Sequence, residues 1–275
     1  MTFNMWHGGD AGKQPLSKSL EMIRDSGADI ICIQEALGFG DHRPDNSAAI
    51  ARELGWNHVS QDARAIISRH DVIETTPSKN GAKLKIAENR YVWVFNCHLM
   101  YIPYQPYQLA DKPYGDFPFI KTEDEAIHWA KVARGDEVQK IANEIKQKME
   151  ESWPVILTGD FNEPSHLDWT KKAANAGLHP IKVEWPATKA FADIGMKDAW
   201  RVVYPDEVAF AGETWTPINR EGEIHDRIDF IFFAGRKLKI TNTQIIGEAE
   251  EKADIVVPYY PSDHRAVMAS FKWQY

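Results

Sequence analysis

Cysteine is scarce: Cys32 and Cys97 stand alone in 275 residues, at a spacing that suits no zinc site and in a number too small for a disulfide scaffold. Both fall inside apolar runs, where an unpaired thiol behaves as a small hydrophobe; buried free thiols are expected, with a bridge between them as the alternative. No apolar stretch approaches the roughly 18 residues that a membrane helix needs. Gly/Ser linkers, low-complexity tracts and internal repeats are missing too, so one domain over residues 1–275 is expected. Excess positive charge is also lacking. With 32 Lys and Arg against 40 Asp and Glu, the formal net charge is −8, which argues against a tight, sequence-independent binder of nucleic acid. Local hydrolysis of nucleic acid at an acidic site that holds metal stays open. Thr2 to Trp6 already reads as a strand, so no signal peptide is visible; the compartment, cytoplasmic or secreted after processing, is open, and a monomer is expected.

What is present is a mixture of strand and helix patterns without strict alternation. Leu16, Leu20 and Ile23 recur at helical spacing and Gly27 follows as a C-cap. Ile30 to Ile33 is an unbroken apolar run of the kind covered on both faces of a sheet, and it ends at Glu35. A second helix is predicted over 46–54 before Gly55, then strands near 56–60, 64–69, 82–87 and 91–98. A long helix over 122–150 follows, with Val138, Ile141 and Ile145 on one face, Gly135 as a possible interruption, and Arg134 and Lys140 expected in water. Val155 to Thr158 is a short buried strand, and Ser165 with Asp168 resembles a capping box that opens another helix. Residues 213–216 and 225–233 read as a hairpin, followed by strands near 237–246 and 265–272.

Polar clusters stand where apolar strands end: Glu35, Asn96-Cys97-His98, Asp160 with Asn162, Asp229, and Ser262-Asp263-His264. A carboxylate at the lip of an apolar strand is costly unless it is paired, hydrogen-bonded or bound to a cation, so convergence on one site would resolve the cost of all of them. Carboxylates and Asn without Cys favour Mg²⁺ or Mn²⁺ over zinc. Such ions suit phosphate chemistry, with nearby His residues to move protons.

In their order, Ile33-Gln34-Glu35, Asn96-Cys97-His98-Leu99, Gly159-Asp160-Phe161-Asn162, Asp226-Arg227-Ile228-Asp229-Phe230 and Ser262-Asp263-His264 resemble the motif series of the endonuclease/exonuclease/phosphatase superfamily. The resemblance runs from Asn4 to His264. It implies a four-layer α/β sandwich of two packed mixed β-sheets flanked by helices. It implies a metal-dependent phosphoesterase, foremost a phosphodiesterase acting on a small organic, nucleotide or lipid-linked phosphoester, with a DNA or RNA nuclease as the alternative. Carried over residue by residue, Glu35 is implied as the principal metal ligand, with Asn4 close to the same ion or to the phosphate and Asp263 contacting the metal or orienting the site. Asp160 would orient or deprotonate water and Asn162 would hold the water or a phosphoryl oxygen. His264, oriented by Asp229, would face the phosphate, and His98 would serve the leaving-group side. One departure concerns the residue two positions after Asn4: abasic-site endonucleases carry an acid there and this chain carries Trp6, which weakens a DNA-repair reading.

Substrate choice is expected in the loops. The insertion from Tyr101 to Phe119 carries six aromatic residues and four prolines and begins beside His98. A binding wall that includes Tyr101 and Tyr104 is one reading, a self-packed loop the other. His7, His166 and Trp215 are further substrate-side candidates, each with a cap, turn or core role as the competing reading.

Overall fold

The computed structural model describes residues 1–40 and 43–274. Thirteen strands are found there: β1 (Thr2–Asn4), β2 (Ile30–Gln34), β3 (Asn57–Gln61), β4 (Arg64–Ser68), β5 (Asp71–Thr75), β6 (Gly81–Ala87), β7 (Arg90–His98), β8 (Val155–Asp160), β9 (Lys197–Asp198), β10 (Asp229–Ala234), β11 (Leu238–Gly247), β12 (Ile255–Val256) and β13 (Ala266–Trp273). They form a seven-stranded sheet ordered β12-β11-β13-β1-β2-β4-β3 and a six-stranded sheet ordered β5-β6-β7-β8-β10-β9. The helices are α1 (Leu16–Ser26), α2 (Asn46–Leu54), α3 (Gln105–Leu109), α4 (Glu123–Met149), α5 (Lys171–Asn175), α6 (Pro186–Asp193) and α7 (Ala199–Val203). No described helix is long and apolar enough to cross a membrane.

Strand parity builds the layers, because successive side chains point to opposite faces. On β2, Ile31 and Ile33 face α1 and α2, whose Ile23 and Ile50 complete that core. Cys32 between them points the other way and packs between the sheets with Ile66, Val92 and Val94. On β7, Trp93, Phe95 and Cys97 face α4 and α6, where Val138, Ile141, Ile145 and Phe191 meet them. The result is helix, sheet, sheet, helix, the predicted four-layer sandwich of two mixed sheets. Both cysteines are buried free thiols.

The helix boundaries at Gly27 and Gly55 fall where the glycines predicted, each with a left-handed backbone. Four expectations need correction. Gly135 does not break α4, which runs through it from a capping box at Thr122 and Glu125. Arg134 is not in water. It lies on the buried face of α4 between Ala130 and Val138, its Nε 3.0 Å from Glu163 Oε2. Ser165 and Asp168 open no helix; α5 starts at Lys171 with Thr170 as its cap, and Asp168 is taken by Arg201 and Arg227. The hairpin over 213–233 shrinks to a single bridge between Trp215 and Asp226, because β10 pairs with β8 and β9 instead.

Candidate active site

Register carries the polar strand ends to one edge of the sandwich. In the parallel pair β7–β8, His98 stands opposite Asp160, and in the antiparallel pair β10–β8, Asp229 stands opposite the same residue. From the other sheet, β1 delivers Asn4 and the end of β2 delivers Glu35. The Asn4 amide then joins the two sheets: Nδ2 donates to Asp160 Oδ2 at 3.0 Å and to Glu35 Oε1 at 3.1 Å, while Oδ1 accepts from Trp6 N at 2.9 Å. Beneath it, buried Asn96 binds Gln34, Gln61 and two backbone carbonyls, so the polar groups between the sheets are satisfied below the site.

Backbone shape sets the side-chain aim. Gly159 has φ 146°, and a Cβ there would stand 2.1 Å from Cys97 O, so only glycine lets β8 approach β7 this closely. Phe161 is fully buried against Phe191, Phe230 and Phe232 and pins the turn between Asp160 and Asn162. Asn162 turns back at φ 47°, its N–H donating to Asp160 Oδ1 at 2.8 Å and its Nδ2 to Leu99 O at 3.0 Å, and the residue lines the cavity. Glu35 also lies in the left-handed region, at φ 52°. That costs a non-glycine residue about 1–2 kcal/mol. Hydrogen bonds from Gly8 N to Glu35 O and from His7 N to Glu35 Oε2 hold it there.

Both imidazoles converge on Asp160. His98 Nε2 is 3.6 Å and His264 Nε2 3.7 Å from Asp160 Oδ2, and His98 Nε2 is also 3.8 Å from Glu35 Oε1. His264 Nδ1 lies 2.9 Å from Asp229 Oδ2. Burial opposes a charged His264, but Asp229 and Asp160 more than offset it and raise its pKa well above the ordinary histidine value. Burial raises the Asp160 carboxyl, with His264 pulling it down and Asp229 pushing it up, and the net shift is upward. Asp263 is pushed up to about 6 by burial, against the pull of His264 and with the added repulsion of Glu35. Glu35 is pushed up by burial too, yet His98, His264 and the Asn4 and His7 hydrogen bonds bring it below the usual range.

Two donor groups adjoin. Ligand atoms of Asp160, Asp229 and His264 lie within 4.8 Å of one another. Nearer the cavity are Glu35 and Asp263, whose buried Oδ1 has no hydrogen-bond partner among the described residues and lies 4.0 Å from His264 Nε2. An orphaned buried carboxylate oxygen beside a second carboxylate, with no thiolate near, fits a hard divalent cation. The inner trio also has an orphaned oxygen, Asp229 Oδ1, but its third donor, His264, is already bound through Nδ1 to Asp229, and the carboxylates around it favour its charged form.

A cavity of about 600 Å³ opens from this point. Of the predicted site residues, His7, Glu35, His98, Tyr101, Tyr104, Asn162, Trp215, Asp263 and His264 line it, and Asn4, Asp160 and Asp229 lie buried behind them. His166 is not brought there; its ring bonds Thr188 Oγ1 at 2.8 Å. The Tyr104 hydroxyl is 2.6 Å from buried Asp226 Oδ2, so this side chain contributes a wall rather than a free hydroxyl. Sequence reasoning missed Thr214, whose Oγ1 accepts from the N–H groups of Ile228 and Asp229 and so fixes the start of β10. Arg220 and Glu223, also on the cavity wall, were missed as well, because they sit in a loop with no strand or helix period to mark them.

The sequence profile of the endonuclease/exonuclease/phosphatase family matches residues 1–264. An uncharacterised protein of Caenorhabditis elegans is 30% identical over 306 aligned positions, which span 98% of this chain and 90% of that one. Among solved structures, a 3′-5′ exonuclease from Neisseria meningitidis superposes with a TM-score of 0.57 at 19% identity over 99% of both chains. An AP endonuclease from Archaeoglobus fulgidus does so with a TM-score of 0.56 at 14% identity over 98% of both. The chain belongs to the endonuclease/exonuclease/phosphatase family. Members of this family are divalent-metal-dependent hydrolases of phosphoesters, phosphatases and nucleases among them.

Proposed function

We propose that the protein is a phosphodiesterase that hydrolyses a small organic, nucleotide or lipid-linked phosphoester with Mg²⁺ or Mn²⁺. The observation that carries the reading is the meeting of His98, His264 and Asn4 at Asp160 Oδ2, one layer behind Glu35 and the orphaned Asp263 oxygen. Glu35 and Asp263 would hold the cation, and Asn4 keeps Glu35 and Asp160 in mutual register. When bound, the cation supplies positive charge against the charge that builds on the phosphoryl oxygens.

The chain's own groups do the rest. Asp160 orients the attacking water and takes its proton, a task suited to a carboxyl whose pKa burial has raised. The water oxygen bonds to phosphorus as the ester P–O bond breaks. His98 donates a proton to the departing oxygen, so the products are an alcohol and a phosphate monoester. His264, whose charged form Asp229 favours, stabilises the phosphoryl charge, and the Asn162 amide steadies the water or a phosphoryl oxygen.

The test is a panel of monoesters, diesters, phospholipids and nucleic acids under one metal. Preferential turnover of small diesters supports the reading. Preferential degradation of long DNA or RNA replaces it with a nuclease, and no turnover with either ion removes it.

A further inference from the structure

The cavity wall is made of rings. From His264 outward, ring centroids follow one another to Trp215 at 6.4 Å, from Trp215 to Tyr107 at 5.8 Å, to Tyr114 at 5.5 Å and to Tyr101 at 6.1 Å. The inner members are fixed. Tyr107 donates its hydroxyl to Glu223, which is also 2.6 Å from Lys112 Nζ, and Tyr104 is held by Asp226. The outer pair is different: Tyr101 is 51% and Tyr114 42% exposed, and no hydrogen bond engages either hydroxyl among the described residues. Two rings left open at the mouth of a catalytic cavity are a surface for another ring. Arg220 also lines the cavity; it is exposed, near Tyr107, with no ion pair to its guanidinium among the described residues.

Resting on the phosphodiesterase reading, we propose that this outer half of the cavity is a nucleotide subsite. It takes a planar base against Tyr101 and Tyr114 while Arg220 neutralises a second, terminal phosphate, so that the substrate is a short 5′-phosphorylated dinucleotide. A base has the π-face that open tyrosines stack on, and an unpaired guanidinium suits a phosphate. An acyl chain would find little here, because Ala63 and Ile228 are the only aliphatic side chains on the wall among the described residues. A volume of about 600 Å³ is that of a small-molecule site, and a net charge of −8 disfavours a long polyanion.

The experiment compares kcat/KM for 5′-phosphorylated diadenylate, unphosphorylated diadenylate, glycerophosphoethanolamine, a 20-residue oligonucleotide and phosphatidylcholine vesicles. The wild type should prefer the phosphorylated dinucleotide over all the others. Tyr101→Ala and Tyr114→Ala should each lower the ratio of dinucleotide to glycerophosphoethanolamine turnover about tenfold, the order expected for one lost base stack. Tyr101→Phe and Tyr114→Phe should restore it, which separates stacking from any effect on folding. Arg220→Ala should erase the advantage of the terminal phosphate by raising KM, with kcat kept. Unchanged ratios in the alanine variants, or a wild-type preference for the oligonucleotide or the vesicles, overturn the proposal. Turnover of glycerophosphoethanolamine without any dinucleotide preference defeats the subsite alone, whereas no turnover of any diester defeats the phosphodiesterase reading beneath it.

Discussion

His264 Nδ1 lies 2.9 Å from Asp229 Oδ2, and both side chains are almost wholly buried. The pairing assigns the proton on Nδ1 and turns Nε2 toward Asp160, so in the proposed mechanism Asp229 would act through the histidine. Asp229→Asn keeps the shape and removes the charge. It should lower kcat by about 10²- to 10⁴-fold and shift the rate profile attributed to His264 to lower pH. A pH–rate comparison of the two proteins checks this, and an unshifted profile with full activity would refute the role.

Asp160→Ala and His264→Ala should each cost about 10²- to 10⁴-fold in rate while the protein stays folded, as loss of one acid–base or electrostatic group does. His98→Ala should behave differently with leaving group. Its loss should be large for alkyl esters and small for p-nitrophenyl esters, whose departing oxygen needs no proton. Equal losses for both would place His98 outside the proton transfer.

Gly159→Ala tests the contact between β7 and β8. The new Cβ meets Cys97 O at 2.1 Å and the residue must hold φ 146°. Strain of this kind costs about 1–3 kcal/mol, with overlap against backbone adding to it. Urea unfolding should show the loss, and activity should fall with it because His98 and Asp160 face each other across this pair.

The charge network behind the site sets a pH limit on stability. Burial pushes the Asp168 carboxyl up, but Arg227 and Arg201 pull it below the ordinary value. A carboxyl depressed in the folded state contributes stability that is fully present above its unfolded pKa, about 3.9, and is lost as pH falls through the lower folded value. Unfolding midpoints should therefore drop with pH below about 4, and Asp168→Ala, which leaves buried Arg201 without its carboxylate, should cost about 3–5 kcal/mol at neutral pH. A midpoint in the variant equal to wild type would contradict the network's role.

The sandwich and the residues that meet in the candidate site were legible because their signals are local. Glu35 and Asp160 each close an apolar run, and Gly27 and Gly55 mark helix ends. What stayed hidden depends on partners far along the chain. Arg134 reads as a solvated helix charge until Glu163 is seen beside it, although its i+4 spacing from Ala130 and to Val138 places it on the buried face. Asp168 imitates a cap, and its arginines lie 33 and 59 residues away. β5 escaped notice since an edge strand that is exposed at most positions shows no clear alternation. The insertion's aromatic content was visible, but not which of its tyrosines Asp226 and Glu223 would hold and which would be left open.

The most direct test of the central claim is hydrolysis of bis(p-nitrophenyl) phosphate by the wild-type protein and Asp160→Ala, each with Mg²⁺ or Mn²⁺ and with EDTA. Metal-dependent release of p-nitrophenol by the wild type, abolished by EDTA and reduced at least about 10²-fold in the variant, is the predicted result. Turnover that persists in EDTA, or that Asp160→Ala retains in full, would contradict it.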